Sequence, residues 1–449
     1  MPSVVPHRRV VITGLGVVSP LGNSVVEFWA ALSEGKSGVE ALQQLPALEG
    51  KVTFAGECRQ FTGEIDDFGP LEKDLKKSIR KALKMMCRES MMAVAAAQHA
   101  VADGGFGSSS REPVSSTPMP PETSGVVFGS DYMLSPPEEL VDAMRASGVS
   151  AGGFKYEKWG EAGLGGMNPL WMLSFLPNMP ASHIAIFSEL RGPNNSLTMR
   201  EASGLMAIRE AVHTIQRGHA DRMIAGATGT RIHSFKTVHA TQTEQLADPE
   251  LPPHEASRPF DANRTGMVVG EGAGAILLEE FESARSRGAK IYGEVLGTGS
   301  SAVADANLQA GRGLALTNAA RAALDAAAID PKSIGHVSAH AMGTTAGDAE
   351  EAAALGEVFG ARSREVPVAA AKSYFGNLGA GSGVVETIAS LLALDAGKLY
   401  PTLNYSTVDP TCPLNVVHVA KPQAAGESFL KLSVTPQGQA AAIVVRRVD

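Results

Sequence analysis

The sequence predicts an α/β fold, internally duplicated, with parallel central strands. A strand–turn–helix unit around residues 190–226 recurs in kind at residues 366–394. Its strands are short apolar runs, as expected where both faces are buried. The 449 residues, 44% hydrophobic and 19% charged, suffice for one large duplicated fold or two domains with a well-buried core.

Val10–Val18 (VVITGLGVV) reads as a buried strand that ends in a glycine turn at Gly14 and Gly16. These glycines invite a dinucleotide-fold reading, but Ser19 stands where its third glycine belongs, and the strand-end turn is the better account. Residues 70–102 predict one long helix. Segment 105–124, rich in Ser and Pro, predicts an exposed loop, and a strand resumes at 125–130. Residues 131–180 are rich in Met and Trp without clear periodicity; they predict helices and loops that cap a partner surface.

The turn Leu190–Asn194 leads into a short strand at 196–199. A helix follows from about Ala202 to Arg217, with apolar Leu205, Ile208, Ala211, Val212 and Ile215 at helical spacing. Gly218–Asp221 end it, and Arg222–Gly226 form a strand. In the second unit, a strand at Val366–Lys372 leads through Gly376–Gly379 into a helix from about Gly383 to Leu394. The expected division is an N-terminal half over residues 1–250, with inserted dimer and cap segments, and a C-terminal half over 251–449.

A net charge of −8 argues against nucleic-acid binding. Cys58, Cys87 and Cys412 are too few and too irregularly spaced for a disulfide framework or a zinc site, which suits a reduced cytoplasmic compartment. Each reads as a structural thiol, Cys87 lying among Met85, Met86, Met91 and Met92. His99, His213, His219 and His336 lack metal-ligand spacing, so no metal is assigned. No signal-peptide core precedes Val10, and no run of about 18 apolar residues predicts a membrane span.

Four long stretches carry a family resemblance. VVITGLGVVSPLGNSVVEFWAALSEGKSGV, then ASRPFDANRTGMVVGEGAGAILLEEFESARSRGAKIYGEVLGTG from Ala256, then SAHAMGTTAGDAEEAAAL and AAKSYFGNLGAGSGVVE occur in order along almost the whole chain. They resemble the opening, the central signature and the two later catalytic blocks of the elongating β-ketoacyl-acyl-carrier-protein synthases. The resemblance implies a thiolase-type fold with a duplicated five-layer αβαβα architecture, a dimer, and a role in fatty acid or polyketide biosynthesis. It also implies substrates carried on the phosphopantetheine of acyl carrier protein, with no other cofactor.

The family's chemistry uses a cysteine at a helix N-terminus, two histidines, a lysine, and an oxyanion hole of two backbone N–H groups, one from a phenylalanine in a Gly-Phe-Gly-Gly loop. Carried over residue by residue, Glu201 stands at the cysteine position of GPNNSLTMREASG. His340 keeps the first histidine, with Asp348 and Glu351 following it as the pattern asks. Lys372 keeps the lysine, and Asn377 stands at the second histidine. Met342 replaces a threonine that contacts the carrier arm, whereas Thr344 keeps the second threonine. VTPQGQAAAIVV replaces the oxyanion loop: counting back from Gly438 puts Pro436 at the phenylalanine, and neither Thr435 nor Gln437, one register away, restores the glycine flexibility.

A carboxylate is a poorer nucleophile than a thiolate, and its acyl anhydride would hydrolyse readily. Proline has no N–H to offer an oxyanion. These departures resemble the chain-length factors of aromatic polyketide systems, which pair with an active synthase without condensing. The expected function is therefore a non-condensing partner that binds acyl chains or acyl carrier protein, as a homodimer or as a heterodimer with an active ketosynthase. One alternative is a malonyl-carrier decarboxylase, or another acyl-carrier-processing enzyme (a hydrolase or dehydratase, for example) using Glu201 and His340; an Asn at 377 is compatible with decarboxylation in the initiating branch of the superfamily. Another is a conventional condensing acyltransferase. Lys73, Lys77, Arg80, Lys84 and Arg88 recur at three- and four-residue steps; the resemblance places this helix near the surface where the acidic carrier docks. A buried Glu201 needs a partner, and His340 or Lys372 is the expected one.

Overall fold

The computed structural model describes residues 8–45, 51–107 and 119–448. The strands are β1 (Val10–Val18), β2 (Val39–Ala41), β3 (Phe54–Gly56), β4 (Ser124–Ser130), β5 (Asn194–Thr198), β6 (Arg222–Thr230), β7 (Glu271–Glu280), β8 (Gly293–Ala302), β9 (His336–Ser338), β10 (Pro367–Ala369), β11 (Asn415–Val416), β12 (Ser428–Val434) and β13 (Gln439–Arg446). Eleven of them hydrogen-bond in the order β11-β10-β9-β12-β13-β8-β1-β7-β6-β4-β5; β2 and β3 pair apart.

That order contains the same unit twice. From the centre outwards one unit runs β1-β7-β6-β4-β5 and the other β8-β13-β12-β9-β10, so that in each the first strand along the chain is followed in space by the fifth, fourth, second and third. In each unit the first pair and the next are antiparallel and the last two are parallel. The units join where β1 meets β8 at Val11–Glu294 and Ile12–Gly293. The helices Ser203–Gln216 and Ser382–Ala396 connect the third and fourth strands of their units and pack between the two halves of the sheet. The helix Arg88–Asp103 covers one outer face and Arg312–Ala327 the other, which completes five layers αβαβα.

The duplication reaches single residues. A side chain at Gly14 or Gly16 of β1 would meet the carbonyl oxygen of Ala100 or Ala96 at 2.1 or 1.9 Å. At Gly297 and Gly299 of β8 it would meet that of Ala323 or Ala319 at 2.2 or 2.1 Å. Each first strand thus lets a helix backbone press directly on it. The expected glycine turn in Val10–Val18 is corrected accordingly: the strand runs through both glycines to Val18, and close approach, not a turn, accounts for them.

Other expectations change as well. Strand β7 completes the first unit although it lies beyond residue 250, so on strand order we place the division between Glu280 and Gly293. The single helix over 70–102 is two, Lys73–Ala82 and Arg88–Asp103, with a 3₁₀ turn at Leu83–Met85 and extended Met86 and Cys87 between them. The break buries Met86 and Cys87 and aims Arg88 and Glu89 inward, where each meets an ion partner. The strand at 366–372 shortens to Pro367–Ala369, and Lys372 opens a short helix, Lys372–Phe375. The helix near 202–217 forms at Ser203–Gln216 with all five of its apolar residues buried, and the later helix forms at Ser382–Ala396. Residues 108–118 of the expected Ser/Pro loop lie outside the described residues. Segment 131–180 folds as a helix at Glu138–Ala146 and a series of short turns; it leaves Phe154, Tyr156, Leu164, Leu170 and Met172 exposed. No described helix is long and apolar enough to cross a membrane.

Candidate functional site

Chain reversal after β5 sets up the first site residue. Arg200 takes a left-handed φ of 47°, which side chains seldom adopt, and the 3₁₀ turn Arg200–Ala202 then delivers Glu201 to the N-terminal end of the helix Ser203–Gln216. Ser203 Oγ accepts from the Met199 N–H at 2.8 Å and locks the turn. Glu201 is fully buried. Arg231 Nη2 donates to its Oε1, Asn377 Nδ2 donates to the same oxygen at 3.1 Å, and Arg200 Nε stands 3.6 Å from Oε2. Glu244 bridges the two arginines, 2.7 Å from Arg200 Nη2 and 3.3 Å from Arg231 Nη1.

The expected pairing of Glu201 with His340 or Lys372 is thereby corrected: its partners are Arg231, Arg200 and Asn377. A long, flat guanidinium can reach the carboxylate from the end of β6. Lys372 is engaged elsewhere. Its ammonium donates to Glu386 Oε1 at 2.5 Å and to the His340 carbonyl at 2.7 Å, with His340 Nδ1 at 3.5 Å.

Burial by itself would raise the Glu201 carboxyl, but the charges of Arg231 and Arg200 overcome it and hold the group down to about 2. Glu201 is therefore an anion at any physiological pH, too weak a base to take a proton. A group whose folded pKa is depressed stabilises the fold above its ordinary pKa of 4.5 and loses that contribution as pH falls towards 2. Glu201→Gln is thus expected to be less stable than the parent by about 3 kcal/mol at pH 7. The deficit should shrink steadily below pH 4.5, as followed by urea denaturation. A deficit that stays constant down to the lowest folded pH would show that the pair does not titrate.

Asn377 is oriented by its own turn, with Oδ1 accepting from Gly379 N–H at 3.0 Å and Ser382 Oγ at 3.2 Å. Its amide hydrogens are left to face Glu201 and Met267 Sδ. His340 is held through its backbone: Glu351 accepts from the N–H groups of His340 and Ala341 at 2.6 and 2.7 Å. Burial and then the charges of Lys372 and Lys431 push the His340 imidazole well below its ordinary value, so it is neutral. Asp348 accepts from Phe260 and Gly343 N–H groups, and burial raises its carboxyl to about 7.

Thr435–Gly438 form the loop of the β12–β13 hairpin. The Thr435 N–H donates to Gln439 O at 2.8 Å and the Gly438 N–H to Thr435 O at 3.0 Å, so the hairpin consumes both amides, and Pro436 has none. Pro436 and Val434 wall a cleft of about 160 Å³ with His340, Met342, Thr344 and Glu244. Both residues expected at the carrier arm thus share one cleft with His340, and Glu244 on its wall shares Arg200 and Arg231 with Glu201.

Of the five expected docking residues, Lys73, Lys77, Arg80 and Lys84 are exposed. Arg88 is corrected: its guanidinium turns inward to Glu271 at 2.7 and 2.8 Å and to the carbonyls of Cys58 and Phe61. The three cysteines are buried and free, and burial pushes their thiols up, Cys87 to about 12 and Cys412 to about 11. Sequence reasoning missed Arg231, Glu244, Glu386 and Lys431. The only signal for the last two was a lone charge inside an apolar run, in GVVETIASLL and FLKLSV.

Comparison with known proteins gives two family matches, the β-ketoacyl synthase N-terminal domain over residues 7–284 and the β-ketoacyl synthase C-terminal domain over residues 292–406. The 3-oxoacyl-[acyl-carrier-protein] synthase 2 of Synechocystis sp. is 31% identical over 416 residues, 91% of each chain. Among solved structures, the ishigamide ketosynthase/chain length factor is similar with a TM-score of 0.80 and 27% identity, over 99% of this chain and all of the other. A type II PKS acyl-carrier protein in complex with its ketosynthase bound to the hexaketide matches with a TM-score of 0.79 and 26% identity, over 98% of this chain and all of the other.

Proposed function

Since the chain belongs to the β-ketoacyl synthase family of fatty acid and polyketide biosynthesis, we propose that it is a non-condensing member, a chain-length-factor-like subunit that pairs with a cysteine-bearing ketosynthase and meets the acyl carrier protein. One observation carries this reading. The group at the helix N-terminus where the family places its nucleophile is Glu201, a carboxylate held by two arginines and an asparagine. Such a carboxylate, buried and ion-paired to Arg231 and Arg200, is a poor nucleophile towards a thioester. The buried, protonated thiols of Cys58, Cys87 and Cys412 offer no substitute.

The same carboxylate disfavours malonyl decarboxylation, because a malonyl carboxylate brought beside it would be repelled. The similarity to a ketosynthase/chain length factor supports a heteromeric partner, and the exposed apolar side chains between Phe154 and Met172 supply a surface for one. The test is an incubation with acyl-carrier and malonyl-carrier, read by intact mass, beside co-expression with a cysteine-bearing relative. The reading expects no acyl adduct, no loss of carbon dioxide, and a stable complex. Turnover by the chain alone would refute it.

The exposed cations Lys73, Lys77, Arg80 and Lys84 are the surface offered to an acidic carrier. Reversing two of them, Lys77→Glu with Arg80→Glu, is expected to slow carrier association about tenfold at low salt and to flatten its salt dependence. Stopped-flow rates unchanged by the double reversal would reduce the row to a solvated helix face.

A further inference from the structure

We propose that the space behind Glu201 is sealed against acyl chains in this subunit, so that the acyl group handled by the assembly lies in the partner. The inference rests on the partner-subunit reading above and adds where the chain is held. The seal is ionic. Asp131 follows β4, Arg231 and Lys236 follow β6, and Glu89 opens the helix Arg88–Asp103. Arg231 and Lys236 are fully buried, and so is Glu201. Lys236 Nζ donates to Glu89 at 2.8 Å and lies 5.3 Å over the Tyr132 ring. Arg231 spans Glu201 and Glu244. Asp131 Oδ2 and Arg231 Nε flank Gly379, 3.2 and 3.7 Å from where a β-carbon would stand, and neither has a hydrogen-bond partner among the described residues.

An acyl chain is stabilised by apolar walls. Here the ends of β4 and β6 and the start of the helix Arg88–Asp103 each present a buried charge, and a methylene chain passing between them would strip those charges of their partners without replacing them. The cleft beside His340 reaches Glu244, and Glu244 is paired with both Arg200 and Arg231 of the ionic set. The cleft therefore suits a polar carrier arm, while its far wall stops an apolar tail.

The test uses a decanoyl-pantetheine probe with a photoreactive diazirine at the acyl terminus, irradiated with the chain in complex with its cysteine-bearing partner. Adducts are mapped by peptide mass spectrometry. The seal predicts adducts on the partner and none on this chain, and acyl-terminus adducts on the cleft peptides of Met342 or Thr344 would count against it. Adducts on the peptides of Asp131, Arg231 or Lys236 would overturn it. A variant that neutralises both ion pairs, Glu201→Gln, Arg231→Met, Glu89→Gln and Lys236→Met together, is expected to gain at least tenfold labelling at those peptides. If that variant is folded and stays unlabelled, the charges are not what excludes the chain; if it does not fold, the parent's adduct map decides alone. Carbon dioxide release from malonyl carrier by this chain is scored separately and would sink the partner reading, whereas interior adducts in an inert chain would sink only the seal.

Discussion

Glu201→Cys, made alone, is expected to yield no measurable condensation, at least 10²–10³-fold below a cysteine-bearing relative. The new thiol would be ionised readily, since it would sit at a helix N-terminus facing Arg231 and Arg200. Ionisation is not what is missing. The hairpin amides of Thr435 and Gly438 are already hydrogen-bonded and Pro436 has none, so none of these three positions offers an N–H to a tetrahedral oxyanion. Asn377, which the resemblance sets at the second histidine position, donates towards residue 201, and under the proposed seal the ionic set would still exclude an acyl chain. Groups that act as a unit are not additive, and restoring one recovers little. Glu201→Cys with Arg231→Met should remove the buried cation facing residue 201 and leave turnover equally absent. Condensation by the single variant near the rate of an ordinary synthase, measured with acyl-carrier and malonyl-carrier, would show that only the nucleophile differs.

The parts of the site that were legible in the sequence are those fixed by short-range order. The strand Val10–Val18 and the helices after Glu201 and Asn377 follow from apolar runs and apolar spacing, and the family blocks place His340, Met342, Thr344 and Lys372 in order. What the sequence hid is long-range pairing. Arg231 stands 30 residues from Glu201 and Glu89 stands 147 from Lys236 along the chain, and nothing in local composition links them. The same limit explains Arg88, whose helical spacing with Lys84 suggested one basic face. A break at Leu83–Met85 rotates it inward to Glu271, and that break serves burial of Met86 and Cys87, which periodicity alone does not show.

The second large effect concerns the ions beneath His340. Glu386, fully buried on the helix Ser382–Ala396, is paired with both Lys372 and Lys431. Lys431 also donates to the carbonyls of Ala339 and Leu432 at 3.0 and 2.6 Å. Glu386→Gln would leave two buried ammonium groups facing a neutral amide. Uncompensated buried charge costs about 3–5 kcal/mol, which is the expected loss in urea denaturation at pH 6. Lys431→Met should cost much less, because Lys372 and Glu386 remain a matched pair. The pH dependence follows from Lys431, which burial, opposed by Glu386, lowers to about 8. A lysine whose folded pKa lies below its unfolded value binds fewer protons in the folded state over that window. Stability therefore rises with pH through the window. Without Glu386 the window extends to lower pH, so the Glu386→Gln deficit should be smaller at pH 9 than at pH 6. Equal losses for Lys431→Met and Glu386→Gln, or a deficit that grows with pH, would show that Glu386 is not the counter-ion that both lysines share.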